Sequence, residues 1–535
     1  MAQQQQQQTP SPLPADFMPA PSPRTEKMRS AEYVSLLPAK DAPDSETSTL
    51  VVHLQRATGL PKLLQLNRSM LSPYVTMWLL DKASGVQLGQ RTTWQHRPDT
   101  RDPVWNTAMP LHVPNLTHLD LERALLRIEV WDHDALLPPS RIGQADVPLS
   151  ELLAAAASDE ADDSAPTEVS VKLVPSTLAR PPSLLLTASA APDAHETASL
   201  SSAAEISDET PMLNMLKRGI YTLAEANMPP SPNAAAVARA SSSSFAAPSS
   251  NGPKEALIFV RLVRGHARRK RLYVIRHGES EWNKAQSGLD LPSMYAQVDH
   301  PLSAEGRRQA EALGKTIGAS LADGAGDESA ALRELHESTL VLSSPLTRAL
   351  QTCVFVLGSA LRERQQSVRL APNTRERINP GSADSFGCAC GADEIHARLE
   401  AKTADVFDGE GDAATAQARA VCDVMLDDLE VRSRWWSAGP ENKDGVAQRL
   451  TAFLHQVQYA PVESVVLVGH SHWIRELLKA NLNPCVAEKD AAFASQLTKQ
   501  KLSNCGVAQF ELDFDSSNGP PIVGVRLLAG TSLVP

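Results

Sequence analysis

Several features that define specialised protein classes are scarce or missing in this chain. Aromatic residues make up only 4% of its 535 residues. No apolar run reaches the roughly 18 residues of a membrane-spanning helix, so we expect no membrane span. The 6 cysteines all fall in the C-terminal half and show no paired framework of the kind that small secreted domains use. Cys388 and Cys390 stand too close together for a usual zinc knuckle, so free thiols in a reducing compartment are expected.

The chain also lacks an excess of positive charge. It carries 51 Lys and Arg against 62 Asp and Glu, which argues against a nucleic-acid partner. Its first residues, Met1 to Gln8, show no basic stretch followed by an apolar run, so we expect no signal peptide. These features together predict a cytoplasmic protein.

Length and composition divide the chain into four parts. At this length we expect at least two domains, joined by segments rich in Pro, Ala and Ser. The predicted parts are a disordered tail at 1–46, an antiparallel all-β sandwich at 47–175, a linker at 176–252, and an α/β three-layer domain at 253–535. Apolar residues at helical spacing predict a short helix at 211–224 of the linker. This helix either packs on a neighbouring domain or binds a partner or membrane surface.

The first domain consists of short alternating segments separated by turn residues. Its motifs resemble those of a C2 domain in order and spacing: Ala57-Thr58-Gly59-Leu60-Pro61, Ser72-Pro73-Tyr74-Val75, Asp102-Pro103-Val104-Trp105-Asn106, Val130-Trp131-Asp132-His133-Asp134 and Arg141-Ile142-Gly143. The resemblance implies a sandwich of eight strands whose loops often bind calcium and acidic phospholipid.

Asp132 and Asp134 match two calcium-binding carboxylates of that family and are weak calcium candidates. Ser72 stands where the family usually has Asp, and the loop Leu63 to Met70 contains no acidic residue. Because calcium needs several converging oxygen ligands, we favour two solvated loop carboxylates and no bound metal. Docking to a membrane phospholipid or a protein without calcium stays open.

From Ala256 onward the pattern becomes α/β, with strands predicted at Ala256 to Val263 and Leu272 to Ile275. The basic run Arg264 to Arg271 between them is interpreted as a solvated hairpin loop, with steering of an anionic substrate or contact with an acidic membrane as alternatives. Further strands are predicted at Thr339 to Leu342, Val368 to Ala371, Val465 to Val468, Val507 to Phe514 and Ile522 to Leu528. Ser344 and Pro345 are predicted to open a helix as N-cap and first residue.

Charged and imidazole side chains follow the ends of these strands, where open α/β sheets bind ligands. The residues concerned are Arg276, His277, Arg348, Glu376 and His470. Guanidinium groups and helix N-termini match a tetrahedral phosphate dianion. Glu376, as the one carboxylate of the set, suits a proton donor.

These residues resemble the histidine phosphatase superfamily, with its phosphoglycerate-mutase-like fold. The matching motifs are Arg276-His277-Gly278-Glu279-Ser280-Glu281-Trp282-Asn283, Pro301-Leu302-Ser303-Ala304-Glu305-Gly306, Ser343-Ser344-Pro345-Leu346-Thr347-Arg348-Ala349, Arg375-Glu376-Arg377 and Val468-Gly469-His470-Ser471.

The resemblance implies that His277 is the nucleophile and becomes a transient phosphohistidine. Arg276, Arg348 and His470 then hold the phosphoryl oxygens, and Glu376 protonates the leaving oxygen. Asn283 matches a position that often contacts the phosphoryl group. No cofactor is implied.

The sequence favours a phosphatase over a mutase, because Thr352 to Gln366 continues as a helix without the glutamate-containing insert of true mutases. Mutase-type transfer stays open, as does a non-catalytic adaptor that binds a phosphorylated partner. Asn379 to Asp393 and the Trp435–Trp436 region are predicted to form a lid or substrate pocket, although the two tryptophans also suit the core. Arg375 and Arg377 are either substrate contacts or solvated charges.

Overall fold

A computed structural model describes the chain at 33–36, 50–61, 71–94, 96–97, 100–113, 118–133, 139–158, 168–175, 255–322, 326–379, 381, 383–407, 411–437, 439–515 and 519–535. The linker helix predicted at 211–224, the loop Leu63 to Met70 and Asp134 lie outside these residues. Within them, no helix is long and apolar enough to cross a membrane.

The first part of the chain forms a sandwich of two antiparallel sheets. Its strands are Leu50–Thr58 (β2), Pro73–Asp81 (β3), Gln87–Trp94 (β4), Val104–Leu111 (β5), Ala124–Asp132 (β6), Ser140–Pro148 (β7), Val169–Lys172 (β8), Val174–Pro175 (β9) and Leu257–Val263 (β10). The helices His118–Arg123 (α1) and Leu149–Ser158 (α2) connect strands. One sheet has the order β4-β3-β6-β7-β9, and the other has the order β5-β2-β10-β8.

Strand β10 corrects one prediction. It follows the linker and was expected to begin the α/β pattern, but it pairs with β2 and with β8 in the sandwich. Ile258, Val260 and Leu262 alternate into the sandwich core and are almost fully buried. Alternation of apolar and polar residues identifies a strand but does not show which sheet the strand pairs with.

Two further segments near this strand differ from prediction. Tyr33–Ser35 (β1), in the tail expected to be disordered, pairs with Gly265–Ala267 (β11). The basic run is not a solvated loop, because its second half belongs to strand Arg269–Arg276 (β12). Lys270 is buried and donates a hydrogen bond to the carbonyl of Ala460 at 2.6 Å.

The second part is a mixed sheet with helices on both faces. Its strands in spatial order are Leu426–Asp427 (β15), Val368–Leu370 (β14), Val341–Ser343 (β13), Ser464–Gly469 (β16), β12, Val507–Asp513 (β18) and Ile522–Leu528 (β19). The first five run parallel, whereas β18 and β19 form the predicted antiparallel pair at one edge. A small separate pair joins Lys501–Leu502 (β17) to Leu533–Val534 (β20).

The helices cover both faces of this sheet. They are Glu281–Ser287 (α3), Leu291–Tyr295 (α4), Ala304–Ala322 (α5), Asp327–Glu337 (α6), Thr347–Glu363 (α7), Gly391–Ala404 (α8), Asp412–Cys422 (α9), Lys443–Gln458 (α10), Ser471–Asn481 (α11), Pro484–Lys489 (α12) and Ala491–Lys499 (α13).

Alternate residues of β12 enter two different cores. Tyr273 and Ile275 pack with α5, α6 and α7, whereas Leu272 and Val274 pack with α10 and α11. Burial on both faces explains why this strand is a continuous apolar run. The predicted α/β three-layer class is therefore confirmed, as is the all-β sandwich before it.

Candidate active site

Strand β12 delivers two polar side chains to the C-terminal edge of the parallel strands. The backbone N–H of Arg276 donates to Gly506 O, and that of His277 donates to Gly469 O, each at 3.0 Å. Gly278 then approaches the backbone of Gly306 so closely that a Cβ atom would lie 2.6 Å from its carbonyl oxygen. Glycine is required at this turn because any side chain would collide there.

The hydrogen bonds of His277 define its tautomer. Its Nδ1 lies 2.6 Å from Gly278 O, and because a carbonyl oxygen only accepts, Nδ1 carries the proton. The Nε2 lone pair therefore accepts, and its one recorded contact is a long hydrogen bond from Arg348 Nε at 3.4 Å. Burial, reinforced by Arg348 and Arg276, holds the pKa of His277 well below its usual value. The imidazole is neutral and has the form that a nucleophile requires.

Arg348 lies in the first turn of α7 and is 1% exposed. Its Nη1 donates to Asp384 O at 2.6 Å, and its Nη2 forms an ion pair with Asp384 Oδ2 at 3.2 Å. Sequence reasoning missed Asp384, although it lies in the segment predicted to form a lid. Burial raises the pKa of this carboxyl, and Arg348 opposes the rise.

His470 follows β16 and stands beside His277, with 5.1 Å between the ring centroids. Its Nε2 lies 2.7 Å from Ser344 Oγ. Burial, with Arg348 next in effect, keeps the pKa of His470 well below its usual value. Ser344 was predicted to cap α7, but that helix begins at Thr347. The serine instead binds the second histidine.

Glu376 follows a short turn after β14 and is 8% exposed. Its Oε1 accepts hydrogen bonds from the backbone N–H of Trp473 at 3.1 Å and of Arg377 at 2.9 Å. Its Oε2 accepts from the N–H of His472 at 3.2 Å. The carboxylate therefore lies at the N-terminus of α11, where free N–H groups favour negative charge.

Arg276 completes the group. Its Nη1 donates to Leu502 O at 2.5 Å, while its Nε has no hydrogen-bond partner in the structure. Burial lowers its pKa to about 10, so the guanidinium remains charged at neutral pH. Two guanidiniums and two neutral imidazoles thus converge on one buried space, an arrangement that suits a phosphate group.

Other predicted residues have structural contacts. Asn283 takes part in the capping box of α3, with its Oδ1 3.3 Å from Ser280 N, and its contact with a phosphoryl group stays a prediction. Trp435 and Trp436 are each 8% exposed and belong to the core beneath α7 and α8. Arg375 is neither solvated nor turned toward His277, because it forms a buried ion pair with Glu441.

Of the two calcium candidates, the structure describes only Asp132. Asp132 is 6% exposed, and its Oδ1 accepts a hydrogen bond from Ser72 N at 2.7 Å. No group of three or more His, Cys, Asp or Glu residues among the described positions is arranged to hold a metal ion. Asp134, the other candidate, lies outside the described residues, so calcium binding stays a prediction. The 6 cysteines, all within described segments, are free thiols.

Comparisons with known proteins identify two domains. Residues 48–164 match the family model of the C2 domain, and residues 272–379 match that of the histidine phosphatase superfamily, branch 1. The predicted identity and order of the domains are confirmed. The second match includes His277, Arg348 and Glu376 but ends before His470.

One curated relative is fructose-2,6-bisphosphatase TIGAR B of Danio rerio. It is 30% identical over 133 residues, which cover 25% of this chain and 41% of that protein. The chain therefore spans less than half the length of the relative it matches.

Among solved structures, the C2A domain of plant extended synaptotagmin 1 is 19% identical, with a TM-score of 0.18 over 25% of this chain and 84% of the other. The Drosophila RIM C2A domain is 22% identical, with a TM-score of 0.16 over 19% of this chain and 86% of the other. Scores this low carry no argument of their own.

Proposed function

We propose that this chain, in which a C2 domain precedes a histidine phosphatase domain, hydrolyses phosphomonoesters through a phosphohistidine at His277. The observation that carries the proposal is the neutral imidazole whose Nδ1–H is bound by Gly278 O and whose Nε2 faces Arg348. A nucleophile in this state, surrounded by phosphate-binding cations, supports covalent phosphoryl transfer.

In the first step, His277 Nε2 attacks phosphorus while the bond from phosphorus to the leaving oxygen breaks. A proton from Glu376 neutralises that oxygen, which leaves as an alcohol. In the second step water attacks the phosphohistidine, the P–N bond breaks, and Glu376 takes up a proton. Arg276, Arg348 and His470 stabilise the charge on the phosphoryl oxygens, and these guanidiniums supply the positive charge that a metal supplies in kinases.

The proton donor is the role that most needs testing. Both oxygens of Glu376 accept backbone hydrogen bonds, and Asp384 offers a second buried carboxyl close to Arg348. The proposal assigns the role to Glu376. A Glu376→Gln variant should lose most activity on alkyl phosphates but little on aryl phosphates with good leaving groups, because the latter need no proton.

Wild type and His277→Ala should be compared on an aryl phosphate and on a panel of phosphorylated metabolites. The panel includes fructose 2,6-bisphosphate, because a relative carries that activity in its name. We expect His277→Ala to lose at least about 10³-fold in kcat/KM. His336→Ala, at the end of α6, is the control.

An alkaline quench should preserve the phosphohistidine for mass spectrometry on His277. A wild type without turnover above His277→Ala on every substrate would favour the non-catalytic adaptor. Transfer of phosphate between two positions of one substrate, without release, would favour a mutase.

For the C2 domain we propose a docking role at a membrane surface or partner protein, which would place a cytoplasmic enzyme peripherally at that surface. Co-sedimentation with vesicles of acidic phospholipid, with and without calcium, tests it. Binding that requires calcium would contradict our expectation, since Asp132 is already bonded within the protein.

A further inference from the structure

Two cationic side chains lie beside Glu376, where helix α11 meets strand β17. They are Arg475, in the second turn of α11, and Lys501, the first residue of β17. Both side chains are half-buried, and neither has a role in the proposed catalysis. We call them the α11–β17 pair.

Hydrogen bonds hold the segment around β17 against both the candidate active site and α11. Arg276 Nη1 donates to Leu502 O at 2.5 Å, and Arg475 Nη1 donates to Lys499 O at 3.3 Å. Leu502 is buried in the core that α11 shares. Since successive side chains of a strand point to opposite faces, the side chain of Lys501 leaves this core where Arg276 and Arg475 are held.

The charges that act on Lys501 are those of the active site. They belong to the guanidiniums of Arg276 and Arg475 and to the carboxylate of Glu376. Burial, with repulsion from the two guanidiniums, lowers the pKa of Lys501. An anion bound between these cations would relieve that repulsion.

The α11–β17 pair keeps donors that no protein group uses. Among the described residues, Lys501 Nζ has no hydrogen bond or ion pair. Arg475 donates only the long hydrogen bond to Lys499 O, and its Nε has no partner. Glu376 forms no ion pair with either cation in the described part of the chain, and its oxygens accept three backbone hydrogen bonds instead.

The cations around this point are incompletely neutralised. Arg348 has its own partner in Asp384. The one carboxylate that acts on Arg276 and on Lys501 is Glu376. It is therefore shared among three cations, which are Arg276, Arg475 and Lys501.

The α11–β17 pair lies on the leaving-group side of the site. The cations that act on His277, the proposed nucleophile, are Arg348 and Arg276. Arg475 and Lys501 act instead on His472, whose backbone N–H binds Glu376. Because the proposed mechanism gives Glu376 the protonation of the leaving oxygen, cations beside Glu376 border the leaving alcohol.

We propose that Arg475 and Lys501 bind a second anionic group on the leaving alcohol, so that the preferred substrates carry another phosphate or a carboxylate. This inference rests on the proposed function, because it assigns the orientation of the substrate in that site. Ammonium and guanidinium groups both bind phosphate and carboxylate oxygens through charge-assisted hydrogen bonds. Such contacts would also hold the leaving oxygen beside Glu376.

The test compares substrates that differ only at the far end of the leaving group. They are 1,3-propanediol bisphosphate, 3-phosphooxypropanoate and propyl phosphate, with an aryl phosphate as the reference for catalysis. The full chain is used, and phosphate release gives kcat/KM for each substrate. We expect wild type to favour the bisphosphate over propyl phosphate about 100-fold, because two charge-assisted contacts contribute about tenfold each.

Lys501→Gln removes one cation and should lower this ratio about tenfold, mainly by raising KM for the bisphosphate. Arg475→Gln should lower it similarly, whereas Lys501→Arg keeps the charge and should retain most of it. The matched control is Lys489→Gln, the same charge change at the exposed end of α12, which should leave the ratio intact. Both substrates are measured on one preparation, so a loss of folded protein cancels from the ratio.

The outcomes separate this inference from the proposed function. Turnover of the aryl phosphate above that of His277→Ala supports the proposed function, whatever the ratio is. The inference alone is wrong if wild type shows no preference, if Lys501→Gln leaves the preference unchanged, or if Lys489→Gln lowers it equally. If no substrate is turned over, both are wrong.

The two anionic substrates distinguish the chemistry of the second group. A higher kcat/KM for the bisphosphate than for 3-phosphooxypropanoate, lost in Lys501→Gln, identifies it as a phosphate. The reverse order, with the same loss, identifies it as a carboxylate.

Discussion

Polar side chains lie at the ends of buried strands both in the sandwich and in the α/β sheet, but they differ in the hydrogen bonds that they form within the protein. Asp132, the last residue of β6, is buried, and its Oδ1 accepts a hydrogen bond from the backbone N–H of Ser72. His277, after β12, donates its Nδ1–H to a backbone carbonyl, and its Nε2 accepts only a long hydrogen bond of 3.4 Å from Arg348, a cation that a phosphate would also bind. A polar residue at a strand end therefore indicates a binding site only where part of its hydrogen-bonding capacity remains for a ligand.

The largest expected effect concerns how the sandwich is completed. A fragment of residues 47–175 lacks β10, and with it Ile258, Val260 and Leu262, each almost fully buried. Their burial stabilises by about 1.5–3 kcal/mol each, a sum comparable to the whole stability of a domain. We expect this fragment to show no cooperative thermal unfolding by circular dichroism.

The control is a fragment of residues 47–268, which restores β10 and should unfold cooperatively. If the two fragments melt alike, the sandwich does not depend on the strand after the linker. The domain boundary predicted at 253 would then hold.

In the α/β sheet, Arg348→Ala should remove activity while leaving the fold in place. Loss of one preorganised donor to the transition state costs about 10²- to 10³-fold in kcat. Arg348→Lys keeps the positive charge but not the paired N–H donors of the guanidinium, so we expect an intermediate loss of kcat. Steady-state kinetics on an aryl phosphate measure both. Activity retained in Arg348→Ala would show that this guanidinium does not contact the phosphoryl group.

Asp384→Asn should instead tighten substrate binding. The carboxylate pairs with Arg348 Nη2 in the structure, so it competes with a phosphate dianion for that group. We expect KM to fall about tenfold when its charge is removed. A rise in KM would instead mean that Asp384 positions Arg348.

The same substitution has a pH signature. The folded pKa of Asp384 is raised by burial. Its contribution to the free energy of unfolding is therefore present below its unfolded pKa and is lost as pH rises through the folded value. Asn does not titrate, so wild type should lose stability relative to Asp384→Asn as pH rises above about 4, the ordinary pKa of Asp in the unfolded chain. Urea unfolding at several pH values measures the difference.

The sequence was informative where local pattern and chemistry coincide. The apolar run before Arg276 predicts a buried strand because both faces of β12 are covered, and parallel strand ends bring Arg348 and His470 to the same edge. It could not reveal that β10 crosses to the sandwich, because pairing partners far apart in sequence are not encoded by periodicity. Asp384 and the ion pair of Arg375 with Glu441 were missed for a related reason. They depend on irregular segments whose path is set by tertiary packing.

The smallest expected effect tests the sandwich side of the comparison. Asp132→Ala leaves the N–H of Ser72 without its acceptor, so we expect a loss of about 1 kcal/mol in the free energy of unfolding. Asp132→Asn keeps an oxygen in the same place and should cost less. Calcium should leave the melting temperature of all three proteins unchanged, because Asp132 Oδ1 already accepts a hydrogen bond from the backbone N–H of Ser72. If calcium raises the melting temperature of wild type but not of Asp132→Asn, then Asp132 binds a ligand at the end of β6. That result would contradict our assignment of ligand binding to the end of β12 alone.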